Sequence, residues 1–231
     1  MVAATGSTNA DLAAAARAGA PGRAVLVSEH QSAGRGRFTR TWEAPPGAAI
    51  AISVLLRPPA TIPLERWTWL PLLAGLAVAD ALQDIAGVPA RLKWPNDVLI
   101  DDRKVCGILV ERVGDAAVIG MGVNTRLRED ELPVPTATSL LLAGAEIANG
   151  EVAAAVLESL SGWYQRWEAD EDLSPAYQAA CATIGRRVRV EVGPGQSRHG
   201  EAVGIDGVGR LLVRTDTGLE AFAAGDVIHL R

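Results

Sequence analysis

Residues 91–124 read RLKWPNDVLIDDRKVCGILVERVGDAAVIGMGVN. Short apolar runs alternate with two polar turn pairs, Asp101-Asp102 and Gly114-Asp115, which is the spacing of strands joined by tight hairpins. The stretch predicts strands over Arg91–Trp94, Val98–Ile100, Lys104–Val113 and Ala116–Asn124. In the last of these, Val118, Gly120, Gly122 and Asn124 share one face by the period of two, and the two glycines strip that face of side chains. A face of that kind gives a flat ligand room on a sheet, and it suits a closely packed helix equally well. Pro95 sets a turn with Asn96 and Asp97 at its tip. Gly107 marks a bulge or a close backbone approach.

Upstream, Ala48–Leu56 alternates bulky Ile50, Ile52 and Val54 with small Ala49, Ala51 and Ser53, the period of a strand. A long apolar helix follows to about Ile85, with Pro71 kinking it or opening its main portion. Nearer the start, Thr8 and Asp11 resemble a capping box for a helix running through Arg17 to a stop at Gly19. Ala24–Glu29 reads as a buried strand and 30–41 as a polar, glycine-rich loop. Downstream, Val156, Leu160, Trp163 and Trp167 form one face of a helix over Glu151–Glu168, so these tryptophans are core. Asn149 reads as its cap. After a short helix at Pro175–Cys181 the texture changes at Ile184 to short alternating strands with Gly and Asp turns. The expectation is an α+β domain at 1–182, a mixed sheet with flanking helices, and a small β-barrel domain at 183–231.

Composition narrows the class. The chain has 231 residues, 48% hydrophobic and 21% charged, an ordinary globular profile. A net charge of −5 argues against nucleic-acid binding through bulk charge. Two cysteines and three histidines show neither a disulfide framework nor metal-ligand spacing. No apolar run of about 18 residues, as a membrane span requires, is visible, and the start lacks the basic region of a signal peptide. A cytoplasmic protein with no membrane partner is expected. Of 22 basic residues only Lys93 and Lys104 are lysine. Lysine is a movable point charge where arginine is a planar fork, so two lysines in one short stretch stand out.

The strongest chemical feature is QSAGRGRFTRTW at 31–42. Arg35, Arg37 and Arg40 supply bidentate donors for phosphate or carboxylate. Gly34 and Gly36 let the backbone approach an anion, and Trp42 offers an aromatic face. A solvated basic loop has the same composition. With three arginines repelling one another and only Phe38 to bury, the loop is expected to be mobile without a ligand and to close over one as a lid.

Taken together, GSTN at 6–9, QSAGRGRFTRTW at 31–42, KWPND at 93–97, RKVCGILVE at 103–111 and GVN at 122–124 resemble the blocks of the biotin–protein ligases. The form resembled lacks an N-terminal DNA-binding domain, and the likeness extends to the terminal barrel. It implies a class II synthetase-like fold with an SH3-like C-terminal barrel. It also implies a two-step reaction: biotin and ATP give biotinyl-5′-AMP, which then acylates a lysine of a biotin carboxyl carrier domain of acetyl-CoA carboxylase or a related carboxylase. By the same resemblance Lys104, Arg37 and Lys93 are catalytic. Ser7, Thr8, Asn9, Gln31, Arg35, Gly36, Arg37, Lys104 and Gly107 bind biotin. Arg35, Arg37, Arg40, Trp42, Lys93, Asn96 and Asn124 bind ATP, and Asp97 serves Mg²⁺. A homodimer is compatible, and DNA binding is not expected. The family has a strand before its GSTN block, where this chain has only Met1–Ala4, so the expectation is either a true start upstream or a curtailed edge strand. The alternatives are a lipoate–protein ligase of the same fold and a non-enzymatic carrier- or RNA-binding module.

Overall fold

Strand β2 (Ala49–Leu56) is buried at every position because both of its faces are covered. Ile50, Ile52 and Val54 enter the main apolar core, whereas Leu55 packs with Leu12 and Ala16 of helix α1 (Thr8–Arg17). The small residues between them leave room on the α1 side. That asymmetry decides where a ligand can go. The computed structural model describes residues 1–193 and 195–230, so position 231 of the expected second domain lies outside them.

β2 sits in a six-stranded sheet with β1 (Ala24–Ser28), β3 (Arg91–Lys93), β4 (Asp97–Ile100), β5 (Arg103–Val113) and β6 (Ala116–Asn124). The order is β1-β2-β6-β5-β4-β3. Every ladder between these strands is antiparallel, and parallel pairing is confined to isolated bridges such as Val2 with Ser28 and Thr5 with Gln31. Those two bridges lay residues 2–5 along the end of β1, in the place of the expected edge strand. Asp101 and Asp102 both take positive φ, +49° and +59°, as the tight hairpin between β4 and β5 requires.

The β4–β5 ladder shifts register between Val98 and Leu99, which pair with Cys106 and Lys104 and leave Val105 as the extra residue. Val105 and Cys106 are therefore consecutive and both in the core. The bulge reverses the alternation and turns Lys104 to the face that carries Gly107. The bulge thus lies at Val105, and Gly107 is the close approach.

Helices α2 (Leu70–Ala86) and α3 (Asn149–Glu168) pack on each other and cover the far face of the sheet. A 3₁₀ turn at Leu64–Trp69 leads into α2, with Pro71 in its first turn. Residues 64–86 thus form one 23-residue helical run of mean hydropathy 1.3, long and apolar enough to cross a membrane by length and composition alone. This corrects the sequence expectation. The run is the core helix, two thirds of its apolar window being buried against the sheet and α3.

Two cap assignments also change. Ser7, not Thr8, caps α1, its hydroxyl accepting from the Ala10 amide. Asn149 lies inside α3 and ties loops together, accepting from Thr125 Oγ1 and donating to Glu29 and the Gly47 carbonyl.

After α4 (Ser174–Ala180), strands β7 (Arg187–Gly193), β8 (Gln196–Ile205), β9 (Leu211–Thr215), β10 (Gly218–Phe222) and β11 (Asp226–His229) form a second antiparallel sheet, ordered β10-β9-β8-β7-β11. Trp69 and Trp94 clasp its β8–β9 turn, donating from their indoles to the carbonyls of Gly207 and Gly209. The KWPND turn is thereby fixed against this sheet.

Candidate active site

On the α1 side of the sheet a cleft opens between α1, the arginine segment and strands β5 and β6. Its floor is glycine. Gly107 and Gly122 are cross-strand partners, and Gly120 lies two residues along β6. A Cβ on Gly122 would stand 2.6 Å from the Trp42 indole, and one on Gly107 would stand 3.0 Å from it. A Cβ on Gly120 would collide with the Asn9 amide. Close packing of a helix side chain, Asn9 of α1, accounts for Gly120, and the chain's own Trp42 accounts for Gly107 and Gly122.

At the Gly120 end α1 presents a polar network. Gln31 Oε1 accepts from the Thr8 amide at 2.8 Å and from Thr8 Oγ1 at 3.0 Å. Ser53 Oγ lies 2.7 Å from Thr8 Oγ1 and 2.6 Å from Asn9 Oδ1. Asn9 Nδ2 donates to the Leu109 carbonyl and to Glu111 Oε2, at 3.2 and 2.9 Å. Thr8, Asn9 and Ser53 are all buried, so these groups are oriented before anything binds. Ser7 belongs to the helix cap and does not line the cleft.

The arginine segment is a small hairpin. Arg35 bridges Thr41, and the Gly36 amide donates to the Arg40 carbonyl at 2.8 Å. Phe38 at φ +60° forms its exposed tip, beneath the guanidinium groups of Arg37 and Arg40. The arginines are not left to repel one another. Arg35 pairs with Glu111 at 2.9 Å. Arg37 donates to Asn96 Oδ1 at 2.9 Å and to the Gly225 carbonyl at 3.1 Å, with Asp226 at 3.5 Å. Arg40 makes an ion pair with Asp226. The loop expected to be mobile carries tethers in this structure: carboxylates from β5 and from the C-terminal sheet hold its arginines. Burial and the neighbouring Arg40 lower the Arg37 pKa, and Asp97 partly offsets them.

Lys104, re-aimed by the bulge, has its Nζ 2.5 Å from Asp97 Oδ1 and 5.8 Å from the centre of the Trp42 ring. Lys93 occupies the adjoining pocket between the KWPND turn and β11, with Arg37, Arg40 and Asp226. It makes no ion pair among the described residues. Burial lowers its pKa most, Lys104 and Arg40 lower it further, and Asp97 opposes them. Asn96 lines the main cleft, its Nδ2 held by the Ile108 carbonyl. Asn124 is buried outside the cleft wall and donates to the Thr138 carbonyl. The Thr138 amide in turn bonds the Lys104 carbonyl, so Asn124 supports the backbone that carries Lys104.

Asp97, expected to serve Mg²⁺, pairs with Lys104 in this structure, and no group of three His, Cys, Asp or Glu side chains that could hold a metal ion occurs among the described residues. A Mg²⁺ that accompanies ATP belongs to the substrate.

Three participants escaped the sequence reading. Ser53 carried a signal, being the polar residue in an otherwise apolar buried strand. Glu111 stood at the end of a recognised block with no role attached. Asp226 lies 186 residues from Arg40, and nothing local marks it.

A model of the biotin/lipoate A/B protein ligase family matches residues 7–124, and one of the biotin protein ligase C-terminal domain matches residues 183–230. The chain is 43% identical to a biotin–[acetyl-CoA-carboxylase] ligase of Mycobacterium tuberculosis, over 100% of this chain and 88% of the relative. It is 35% identical to the ligase of the same description from Paracoccus denitrificans, over 98% of both. Among solved structures, the biotin protein ligase of Aquifex aeolicus in complex with biotin and ATP superposes with a TM-score of 0.83. That match has 27% identity and covers 100% of this chain and 98% of that one.

Proposed function

This chain belongs to the biotin/lipoate A/B protein ligase family, and from that premise we propose how its cleft performs biotin activation and transfer. The chain is a biotin–[acetyl-CoA-carboxylase] ligase in type: it takes ATP and biotin as substrates and a biotin carboxyl carrier as partner. The observation that carries the assignment of residues is one cleft holding an apolar glycine floor, a pre-oriented amide and hydroxyl network, and four cations, with Lys93 in the adjoining pocket.

Thr8, Asn9 and Gln31 hold the urea-like ring of biotin, with Ser53 behind them and Ser7 fixing the helix that presents them. The apolar ring system extends along the cleft between that network and Trp42. The carboxylate then points toward Lys104, which shifts from Asp97 to lie between it and the α-phosphate. Two anions meet there only if charge is neutralised, and a compact ammonium does so without a fixed hydrogen-bonding plane. The carboxylate oxygen forms a bond to the α-phosphorus as the bond to the β-phosphate bridging oxygen breaks. The products are biotinyl-5′-AMP and pyrophosphate. Arg35, Arg37, Arg40 and Lys93 receive the phosphates, and Trp42 and Asn96 border the nucleotide. In the second step a neutral carrier lysine amine attacks the anhydride carbonyl, giving an amide, AMP and a proton. The arginine hairpin then shields the anhydride from water.

We place the domain boundary at 182/183 and the setting in the cytoplasm, without DNA binding. Both cysteines are free and buried, and Cys106, desolvated beneath the floor, has its thiol pushed up to about 12. Biotin-dependent ATP–pyrophosphate exchange tests the assignment. The expected result is exchange driven by biotin and not by lipoate, followed by labelling of a carrier lysine. Exchange that answers only to lipoate favours the alternative ligase, and absence of exchange with retained RNA binding favours a non-enzymatic module.

A further inference from the structure

Glu111 Oε2 accepts two hydrogen bonds, one from Asn9 Nδ2 and one from Arg35 Nη2, both at 2.9 Å. A single oxygen therefore joins the buried network on α1 to the arginine hairpin across the cleft. We propose that Glu111 is a positioning residue for biotin, fixing the orientation of the Asn9 amide and holding Arg35 beside the site until an anion takes it. This rests on the assignment of Asn9 to the biotin ring and of Arg35 to the phosphates made above.

The orientation follows from hydrogen-bond inventory. A carboxylate and a backbone carbonyl can only accept, so the Asn9 nitrogen must face Glu111 and Leu109. Its Oδ1 is then turned to the Ser53 hydroxyl, against the bare face of Gly120. Both N–H groups are spent. What Asn9 has left to offer a ligand is one acceptor lone pair, which suits the N–H of a urea ring and not its carbonyl. Without the carboxylate the amide could turn over, present a donor, and reverse the polarity of that corner.

Glu111 is half-buried and its second oxygen has no hydrogen-bond partner among the described residues. Arg35 is the more exposed partner, so it can leave for a substrate anion while Asn9 remains held.

The test is pyrophosphate exchange by Glu111→Leu and Glu111→Gln. Glu111→Leu removes the acceptor at similar size and should raise the biotin KM about tenfold, with the ATP KM within about threefold of wild type. Glu111→Gln keeps an oxygen in the same place and should stay within about threefold on both substrates. In an Asn9→Ala background there is no amide to orient, so Glu111→Leu should change the biotin KM less than about twofold. Trypsin should cut after Arg35 faster in Glu111→Leu than in wild type. If Glu111→Leu does not fold, Glu111→Thr, also without a long acceptor, carries the same comparison. An unchanged biotin KM would overturn the proposal, as would biotin and ATP KM values rising together, or an effect undiminished in Asn9→Ala. Failure of the wild-type chain to respond to biotin would instead sink the function on which it rests.

Discussion

Replacing Gly120 by alanine adds one methyl group to the floor and should uncouple biotin from ATP. The new Cβ would collide first with Asn9 Oδ1 and would stand 2.8 Å from its Cγ and 3.0 Å from Nδ2, where ordinary contact begins near 3.4 Å. The amide must retreat by at least roughly 0.6 Å, and it has no free direction. Ser53 holds its oxygen at 2.6 Å, while Leu109 and Glu111 hold its nitrogen. Retreat stretches the bond to Ser53 and misaligns the bond to Glu111. Losing one neutral hydrogen bond costs about 1 kcal/mol and one to a charged group about 2 kcal/mol, so the corner loses roughly 3 kcal/mol of preorganisation. If that loss falls on biotin binding, the biotin KM rises about a hundredfold. The ATP KM should move little, because Trp42 stands over Gly107 and Gly122 instead. Pyrophosphate exchange with each substrate varied in turn, alongside a melting curve, decides it. A biotin KM within about threefold of wild type in a folded variant would refute the reasoning.

Lys104→Arg should keep its melting temperature and lose about a hundredfold in single-turnover adenylation, since a planar guanidinium cannot sit as a point charge between carboxylate and phosphate. A near-normal rate would remove that role. Asp226→Asn should release Arg40, while Arg37 keeps its bonds to Asn96 and Gly225: trypsin should cut the empty protein faster after Arg40, and the ATP KM should fall because the phosphates no longer displace a carboxylate. A rise in the ATP KM would show that Asp226 assists nucleotide binding instead. His229 has its pKa lowered from 6.5 to about 4, first by burial and then by Lys93 and Arg186, with Asp102 opposing. Arg186 donates to its Nδ1 and Thr183 lies at its Nε2, so no ring nitrogen is free to take a proton. Because the folded pKa is depressed, His229 contributes fully above about pH 6.5, and its contribution is lost as pH falls toward 4. The loss is at most about 3 kcal/mol before solvent screening reduces it. His229→Gln should flatten the melting temperature across that window, and an unchanged slope would exclude it as the source.

Local periodicity made the sheet legible. The alternation in Ala49–Leu56 separates a core face from a cleft face, and the same rule put Gly120 and Gly122 on the side where Asn9 and Trp42 now lie. The bulge was harder to place, because one extra residue is invisible to a period-two count; only the pairing of Leu99 with Lys104 locates it at Val105. The long core helix was expected, but the length of its apolar run was not, because Arg66 and Thr68 interrupt the apolar pattern without interrupting the helix. The cationic half of the site could be read from its motifs. Of its three acids Asp97 lay inside a motif, but Glu111 and Asp226 could not be paired with the arginines they hold, which lie 76 and 186 residues away. No propensity or spacing rule reaches so far along a chain.

Those resting carboxylates bear on turnover as well as on binding. Glu111, Asp226 and Asp97 occupy Arg35, Arg37, Arg40 and Lys104 before any nucleotide arrives. Phosphate uptake is then an exchange of ion partners, and its salt dependence should be shallower than that of a bare cationic cleft. Exchange also runs in reverse. On the proposed assignment the same three acids compete for the cations with pyrophosphate after the first step and with AMP after the second, and should speed their departure. An adenylating site with five unopposed positive charges would bind its spent phosphates as firmly as its fuel; the internal acids level that well and let the cycle restart.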